Sequence, residues 1–400
     1  MVKSENSGVS FTKAYPIFLA FLCMGFGDVV GPLVGLAKDT FSISNTMAQL
    51  LPFMGFIMFG ILSIPMGVLQ DKKGKKFILS LGLMIALVGL IIPIINGMYG
   101  PVVDMKADSQ SKFYILLAAI LLLGAGATIV QVAGNPIMRD VSQEGRYSSN
   151  LSLGQSIKAL GSSLGFLLPP AVGILFNMDW TILFPLYAIL ILITLIWTNS
   201  ITIVEKKEIH SSTASLSSSF KLLKNSYVLI MVMGIFLYVG AEISMSSQVP
   251  ILVFGIEDFG LWLSWALFFL PILVGRFTGA LVLRKIEAKS FLTVTIIISI
   301  VGMILIFSKM QLLVYAGIVL SGLGFANIFP LIFSITIDKM PEHTNELSGL
   351  MIAAIAGGAI IPLAAGAVAD ITQQVIYSFL VPLICMLYLF VVAVINRKFI

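Results

Sequence analysis

"IVEKKEIHSSTASLSSSFKLLK", residues 203–224, is the only long polar, Ser-rich stretch in a chain of 400 residues. On either side of it the sequence is almost uniformly apolar. The chain is 58% hydrophobic and 11% charged, with a mean hydropathy of +1.04. A soluble protein of this size cannot hide that much apolar surface, so the composition is that of a polytopic membrane protein. A membrane span needs about 20 mostly apolar residues. Six such runs precede the polar stretch, at 14–36, 46–69, 77–97, 113–137, 149–175 and 180–200. Six follow it, at 226–250, 259–283, 291–308, 312–337, 347–369 and 374–396. The chain therefore divides into an N-terminal bundle (1–202), a linker (203–224) and a C-terminal bundle (225–400). Too little chain is left over for a large soluble domain. The first run is longer than a signal-peptide core and lacks a small-residue cleavage site, so we expect it to stay in the protein.

The placement of charge sets the expected topology. With spans alternating from a cytoplasmic N-terminus, only Lys38, Lys106, Lys112 and Lys309 of the 24 Lys and Arg residues fall in external segments. Lys158 and Arg276 lie within spans or at their edges, and the rest lie on the cytoplasmic side. This positive-inside bias predicts that both termini are cytoplasmic and that the span count is even. It also accounts for the net charge of +5 without a nucleic-acid patch. Cys23 and Cys385 lie inside spans, and His210 and His343 in loops, so the pattern offers neither a disulfide framework nor a metal site. No span shows the nucleophile, metal triad or histidine pair of an intramembrane enzyme.

The halves echo each other. "FLCMG" at 21–25 resembles "FLYVG" at 236–240, and "NLSLGQSIKALGSSLG" at 150–165 resembles "NELSGLMIAAIAGGAI" at 345–360. Between spans two and three, "GVLQDKKGKK" (67–76) contains Gly67, Asp71, Gly74, Lys75 and Lys76. Its spacing is similar to the loop signature of the major facilitator superfamily, in which two parallel six-span repeats enclose a central cavity. Gly67 would let helices approach closely, Gly74 would permit a tight turn, and Asp71 would sit at a helix N-terminus. The lysines would hold the loop at the anionic leaflet. Such a loop would latch one state of a rocking transporter.

Charges inside a membrane are costly and mark cavities or partners. Here they are Asp28 in span one, Lys158 in span five, Glu242 in span seven and Arg276 toward the cytoplasmic end of span eight. With no histidine in a span, any proton relay must use Asp28 or Glu242. Three readings of Asp28 stand side by side: a proton-coupling site, a static ion pair with Lys158, or a direct substrate contact. Glu242 either lines the cavity and hydrogen-bonds substrate, or packs against Gln248 or Lys158. Arg276 either snorkels to the interface or binds helix-end carbonyls. Gln131, Asn135, Gln155 and Asn327 are amides that sugar hydroxyls would satisfy, or else interhelical glue. Pro136 and Pro330 occupy matching places and would kink equivalent helices. Trp180, Trp262 and Trp265 would anchor span ends at the interface.

These residues carry a resemblance to the fucose/glucose/galactose:proton symporter family of that superfamily. The pieces are "QVAGNP" (131–136), "FLYVGAEISMSSQVP" (236–250), "GRFTG" (275–279), "NIFPLIFS" (327–334) and "SGLMIAAIAGGAIIPLAAGAVAD" (348–370), together with 150–165 above. The resemblance implies sugar import with a proton as the only coupling ion and no cofactor, an acid in span one at Asp28, and a sugar-contacting glutamine at Gln155. Gln131 stands where the fucose branch has a second acid, which is closer to the glucose/galactose branch. The chain has Gly25, Phe26 and Gly27 where the family has asparagine before the acid, and Lys158 where it has asparagine in span five. From this we expect a monomeric, multi-pass importer of a sugar in the inner membrane. The alternative is a carrier of an acidic sugar or organic anion held by Lys158.

Overall fold

Gly74 is where span two gives way to span three. Its φ of 89° is open to glycine but strained for other residues, and it separates Leu50–Lys73 from Lys75–Ile95. Similar local signals end the other apolar runs. Ser44 accepts from the N–H of Met47 and starts span two, and Ser42 at φ 53° ends span one. The computed structural model describes residues 15–99, 109–141, 147–202, 216–254, 260–283, 285–308 and 310–398. Among these, every regular element is helical. The first part of the linker, 203–215, lies outside the described residues.

Twelve helices are long and apolar enough to cross a membrane. They are Tyr15–Phe41, Asn45–Lys73, Lys75–Ile95, Ser109–Met138, Gly154–Phe176 and Trp180–Ser200 in the first half. In the second half they are Ser226–Val253, Gly260–Gly279, Ala288–Ile306, Gln311–Lys339, Glu346–Thr372 and Val375–Val394. Each corresponds to one of the twelve apolar runs in the sequence. An even number of alternating spans puts the start of span one and the end of span twelve on one face, the terminal face. The opposite face is called the far face below.

Several spans depart from regular α-helix, among them span eleven with a 3₁₀ turn at Ala354–Ala356, and three of the departures lie in spans that carry or contact the charged residues. Span one tightens into a 3₁₀ turn at Gly25–Val29, which carries Asp28. Span eight contains a π-helical turn at Trp265–Phe269. Span ten is interrupted at Ala326 and Asn327, between Gln311–Phe325 and Ile328–Lys339. Span four, in contrast, runs unbroken through Pro136. The two matching prolines therefore do not leave their helices in matching states.

The halves meet along spans two and eleven, one and seven, and five and eight. At the far face Asp370, at the end of span eleven, accepts four hydrogen bonds from the start of span two. They come from the backbone N–H (2.9 Å) and Nδ2 (2.8 Å) of Asn45, and from the backbone N–H (2.7 Å) and Oγ1 (2.6 Å) of Thr46. A carboxylate on the unpaired N–H groups of a helix start is favoured by both hydrogen bonding and the helix dipole. Trp262 Nε1 donates to the Leu167 carbonyl at 3.0 Å, and the Phe166 and Phe269 rings lie 5.3 Å apart, joining spans five and eight. Toward the terminal face the contact is apolar: Ile64 of span two packs with Val228, Leu347 and Leu350.

The tryptophans depart from the interface-anchor expectation. Trp180 is buried and donates to Thr40 Oγ1 at 3.2 Å, and Trp262 links the two halves. The indole N–H groups of these two find partners in neighbouring spans, so they act as cross-links, whereas the buried Trp265 Nε1 has no partner among the described residues.

Gly67 also differs from its reading in the sequence, because a Cβ there would meet nothing within 4 Å. Close packing is found elsewhere. A Cβ on Gly302 would stand 2.6 Å from the Gly317 carbonyl and 2.6 Å from the Ser321 N–H, where spans nine and ten touch. Gly302→Val should lower the melting temperature of the purified protein, by an overpacking cost of about 1–3 kcal/mol. Gly67→Ala should leave it unchanged.

Candidate functional site

Asp28 reaches its place through two glycines. A Cβ on Gly25 would collide with the Lys158 carbonyl, and one on Gly161 would collide with that of Leu22. The bare backbones let spans one and five touch at this level. That contact puts Lys158 Nζ 3.0 Å from Asp28 Oδ2. The Ser162 hydroxyl, one turn further along span five, donates to the same oxygen at 3.1 Å. Both contacts fall on Oδ2, and Oδ1 has no partner among the described residues. Gly25, from the stretch before the acid, and Gly161 of span five are thus what brings the lysine to the acid.

A second pair lies in the other half. Arg276 Nη2 is 3.4 Å from Glu242 Oε1, and Arg276 Nε donates to the Ala326 carbonyl at 3.3 Å. Glu242 therefore pairs with Arg276, not with Gln248 or Lys158. Asp28 and Lys158 are close enough to act on Glu242 electrostatically. Two acids and two cations from four spans form one neutral cluster. Their side chains keep between 17% and 32% of their surface exposed, so the cluster is neither dry nor freely solvated.

The amides divide into two groups. Gln155 Nε2 and Asn135 Oδ1 are 3.5 Å apart, a contact at the limit of hydrogen bonding that leaves both free to bind elsewhere. Gln131 is 5% exposed, and its Oε1 is buried without a partner. A buried orphan acceptor costs about 1–3 kcal/mol, so this oxygen is poised for a ligand hydroxyl or a water. Asn327 behaves differently, because its Nδ2 donates to the Gly275 carbonyl at 2.8 Å and ties span ten to span eight. Of the aromatic residues, Phe26 stacks on Tyr187 with centroids 3.8 Å apart inside the N-terminal bundle. Tyr238 donates to the Phe325 carbonyl at 2.9 Å.

The loop signature lies apart from this cluster. Lys75 Nζ pairs with Asp140 Oδ2 at 2.7 Å. Lys76 Nζ donates to the carbonyls of Asn199 (3.0 Å) and Ile201 (2.7 Å) at the end of span six, where a cation is favoured. Asp71 is exposed in the last turn of span two. Sequence reading missed Ser162 and Asp370. The signal for Asp370 was a helix-start pattern, Ser44–Asn45–Thr46, lying opposite an acid at a span end.

If the Asp28–Lys158 contact is the working ion pair, removing one member strands the other in a poor dielectric. Asp28→Asn and Lys158→Met should each lower the melting temperature, and the double variant should recover much of the loss. A double-mutant cycle should give a coupling energy of about 0.5–3 kcal/mol.

Comparison with known proteins agrees with this architecture. The family model described as the Major Facilitator Superfamily matches residues 17–362. A glucose/galactose transporter of Brucella abortus biovar 1 (strain 9-941) is 28% identical over 411 residues, covering 98% of this chain and 95% of that protein. The L-fucose-proton symporter of Escherichia coli (strain K12) is 21% identical over 427 residues, covering 96% and 93%. A crystal structure of the E. coli fucose:proton symporter, FucP, superposes with a TM-score of 0.70 at 18% identity, covering 97% of this chain and 99% of that one. With twelve spans and a family match across most of its length, the chain belongs to the Major Facilitator Superfamily, a class of multi-pass membrane transporters and not of enzymes.

Proposed function

We propose that this protein imports a neutral sugar across the inner membrane by alternating access, coupled to a proton carried at Asp28. The observation that carries this reading is the charge balance of the central cluster. Asp28 and Glu242 are each matched by a cation from a neighbouring span. A neutral cluster suits a neutral ligand, because an anion would have to compete with Asp28 for Lys158. The names of the relatives, glucose/galactose transporter and L-fucose-proton symporter, point the same way.

Coupling follows from the Asp28 geometry. Protonation of Asp28 neutralises the acid, releases Lys158, and leaves a carboxyl that donates as well as accepts. Oδ1 is the free position for that proton or for a sugar hydroxyl. Gln155, Asn135 and Gln131 supply further amide contacts on the N-terminal side, and Glu242 supplies a carboxylate contact on the other. Linkage requires proton and sugar each to favour binding of the other. The far-face contacts of Asp370 and Trp262 would hold a state whose cavity opens to the terminal face. The positive-inside bias makes that face cytoplasmic. The 67–76 loop, with Lys75 and Lys76 braced on spans four and six, would act as the latch of the same face.

Proteoliposomes test this. One proton moving with a neutral sugar draws about 2.3 kcal/mol from each 100 mV of membrane potential. That corresponds to about fiftyfold accumulation at 1.36 kcal/mol per factor of ten. Asp28→Asn should lose accumulation while still exchanging labelled for unlabelled sugar. Full accumulation in that variant, or uptake by the unaltered protein that ignores a pH gradient, would reject the proton-coupled reading.

A further inference from the structure

The break in span ten leaves carbonyls that its own helix cannot serve. Pro330 has no N–H to offer the Ala326 carbonyl four residues before it. Two side chains from other spans do so instead. Arg276 Nε donates to Ala326 at 3.3 Å, and the Tyr238 hydroxyl donates to Phe325 at 2.9 Å. The same guanidinium holds Glu242 through Nη2 at 3.4 Å. Both arginine contacts are longer than the 2.7–2.9 Å of a committed charge-assisted bond. One cation is shared between an acid in span seven and an orphaned carbonyl in span ten.

We propose that Arg276 is a positioning residue that transmits the charge of Glu242 to the break in span ten. The inference rests on the transport reading above. The charged groups that face Glu242 are Arg276, Asp28 and Lys158, with the neutral Tyr238 beside them. Of these, only Arg276 and Tyr238 touch span ten in the contacts described. While Glu242 is ionised, it draws the guanidinium away from Ala326 and the break stays loose. When Glu242 is neutral, the Ala326 carbonyl becomes the better acceptor. The guanidinium then turns onto span ten, and the segment Ile328–Lys339 is tied more firmly to span eight. Asn327, already bonded to the Gly275 carbonyl, is the fixed point of that movement. A change of charge in span seven thereby becomes a change of stiffness at the span-ten break.

Amide hydrogen exchange of the purified protein, read on the peptide covering Phe325–Leu331, tests this without sugar or gradient. Glu242→Gln and Arg276→Gln both abolish the ion pair, yet the proposal gives them opposite effects. Glu242→Gln should slow exchange, because the arginine is freed for Ala326. Arg276→Gln should speed it, because Ala326 loses its donor. Each change should be about two- to tenfold, the rate factor of one hydrogen bond. Arg276→Lys should also speed exchange, since a point charge cannot serve both acceptors in the geometry of the guanidinium fork. Changes of the same sign in the two glutamine variants, or none in either, overturn the proposal and leave proton-coupled uptake untouched. If Arg276→Gln does not fold, Glu242→Gln decides alone: slower exchange supports the proposal, and unchanged or faster exchange rejects it.

Discussion

A charge buried in a low dielectric must be matched, and in this protein that requirement organises the centre of the fold. Asp28 and Glu242 stand near the middle of mostly apolar helices. Each could remain ionised only if a cation came within about 4 Å from another span. Meeting that condition fixes which helices touch. Lys158 reaches Asp28 because Gly25 and Gly161 let spans one and five come together without side chains between them. Arg276 reaches Glu242 from span eight while leaning on span ten. The ion pairs are therefore statements about helix packing as much as about chemistry.

The irregular turns belong to the same account. A 3₁₀ segment at Gly25–Val29, a π turn at Trp265–Phe269 and the break at Ala326–Asn327 lie in spans one, eight and ten, which carry or contact Asp28 and Arg276, whereas Lys158 and Glu242 sit on regular helices. Each departs from the α-helical hydrogen-bond ladder, and the span-ten break releases backbone carbonyls to outside partners. At the break those partners are Tyr238 and Arg276.

Much of this was legible in the sequence, for reasons that can be named. Hydropathy located the twelve spans because lipid leaves no alternative to long apolar helices. The intramembrane acids stood out for the same reason. The partner of an acid is harder to read, because it depends on which faces of two distant helices meet. Lys158 could be named for Asp28 as one choice among several, whereas Arg276 for Glu242 could not. Its other task, binding a helix-end carbonyl, was one of the roles its place in the sequence suggested. Asp370 escaped notice because an acid at a span end looks like ordinary surface. Its importance comes from the start of span two, far away in the chain. The tryptophans misled because an indole at a span end suits a lipid interface and a buried hydrogen bond equally well.

The seams between the halves differ in kind, and temperature will tell them apart. The terminal-face contact around Ile64, Val228, Leu347 and Leu350 is apolar, whereas the far-face contact at Asp370 is four hydrogen bonds. Wetting an apolar seam raises the heat capacity, and wetting a polar one lowers it. Cooling weakens the first kind of closure more than the second. In the alternating cycle proposed above, the balance between the two openings should therefore drift with temperature even in the absence of ligand. The carrier's resting orientation in a cold-grown cell and in a warm one need not be the same.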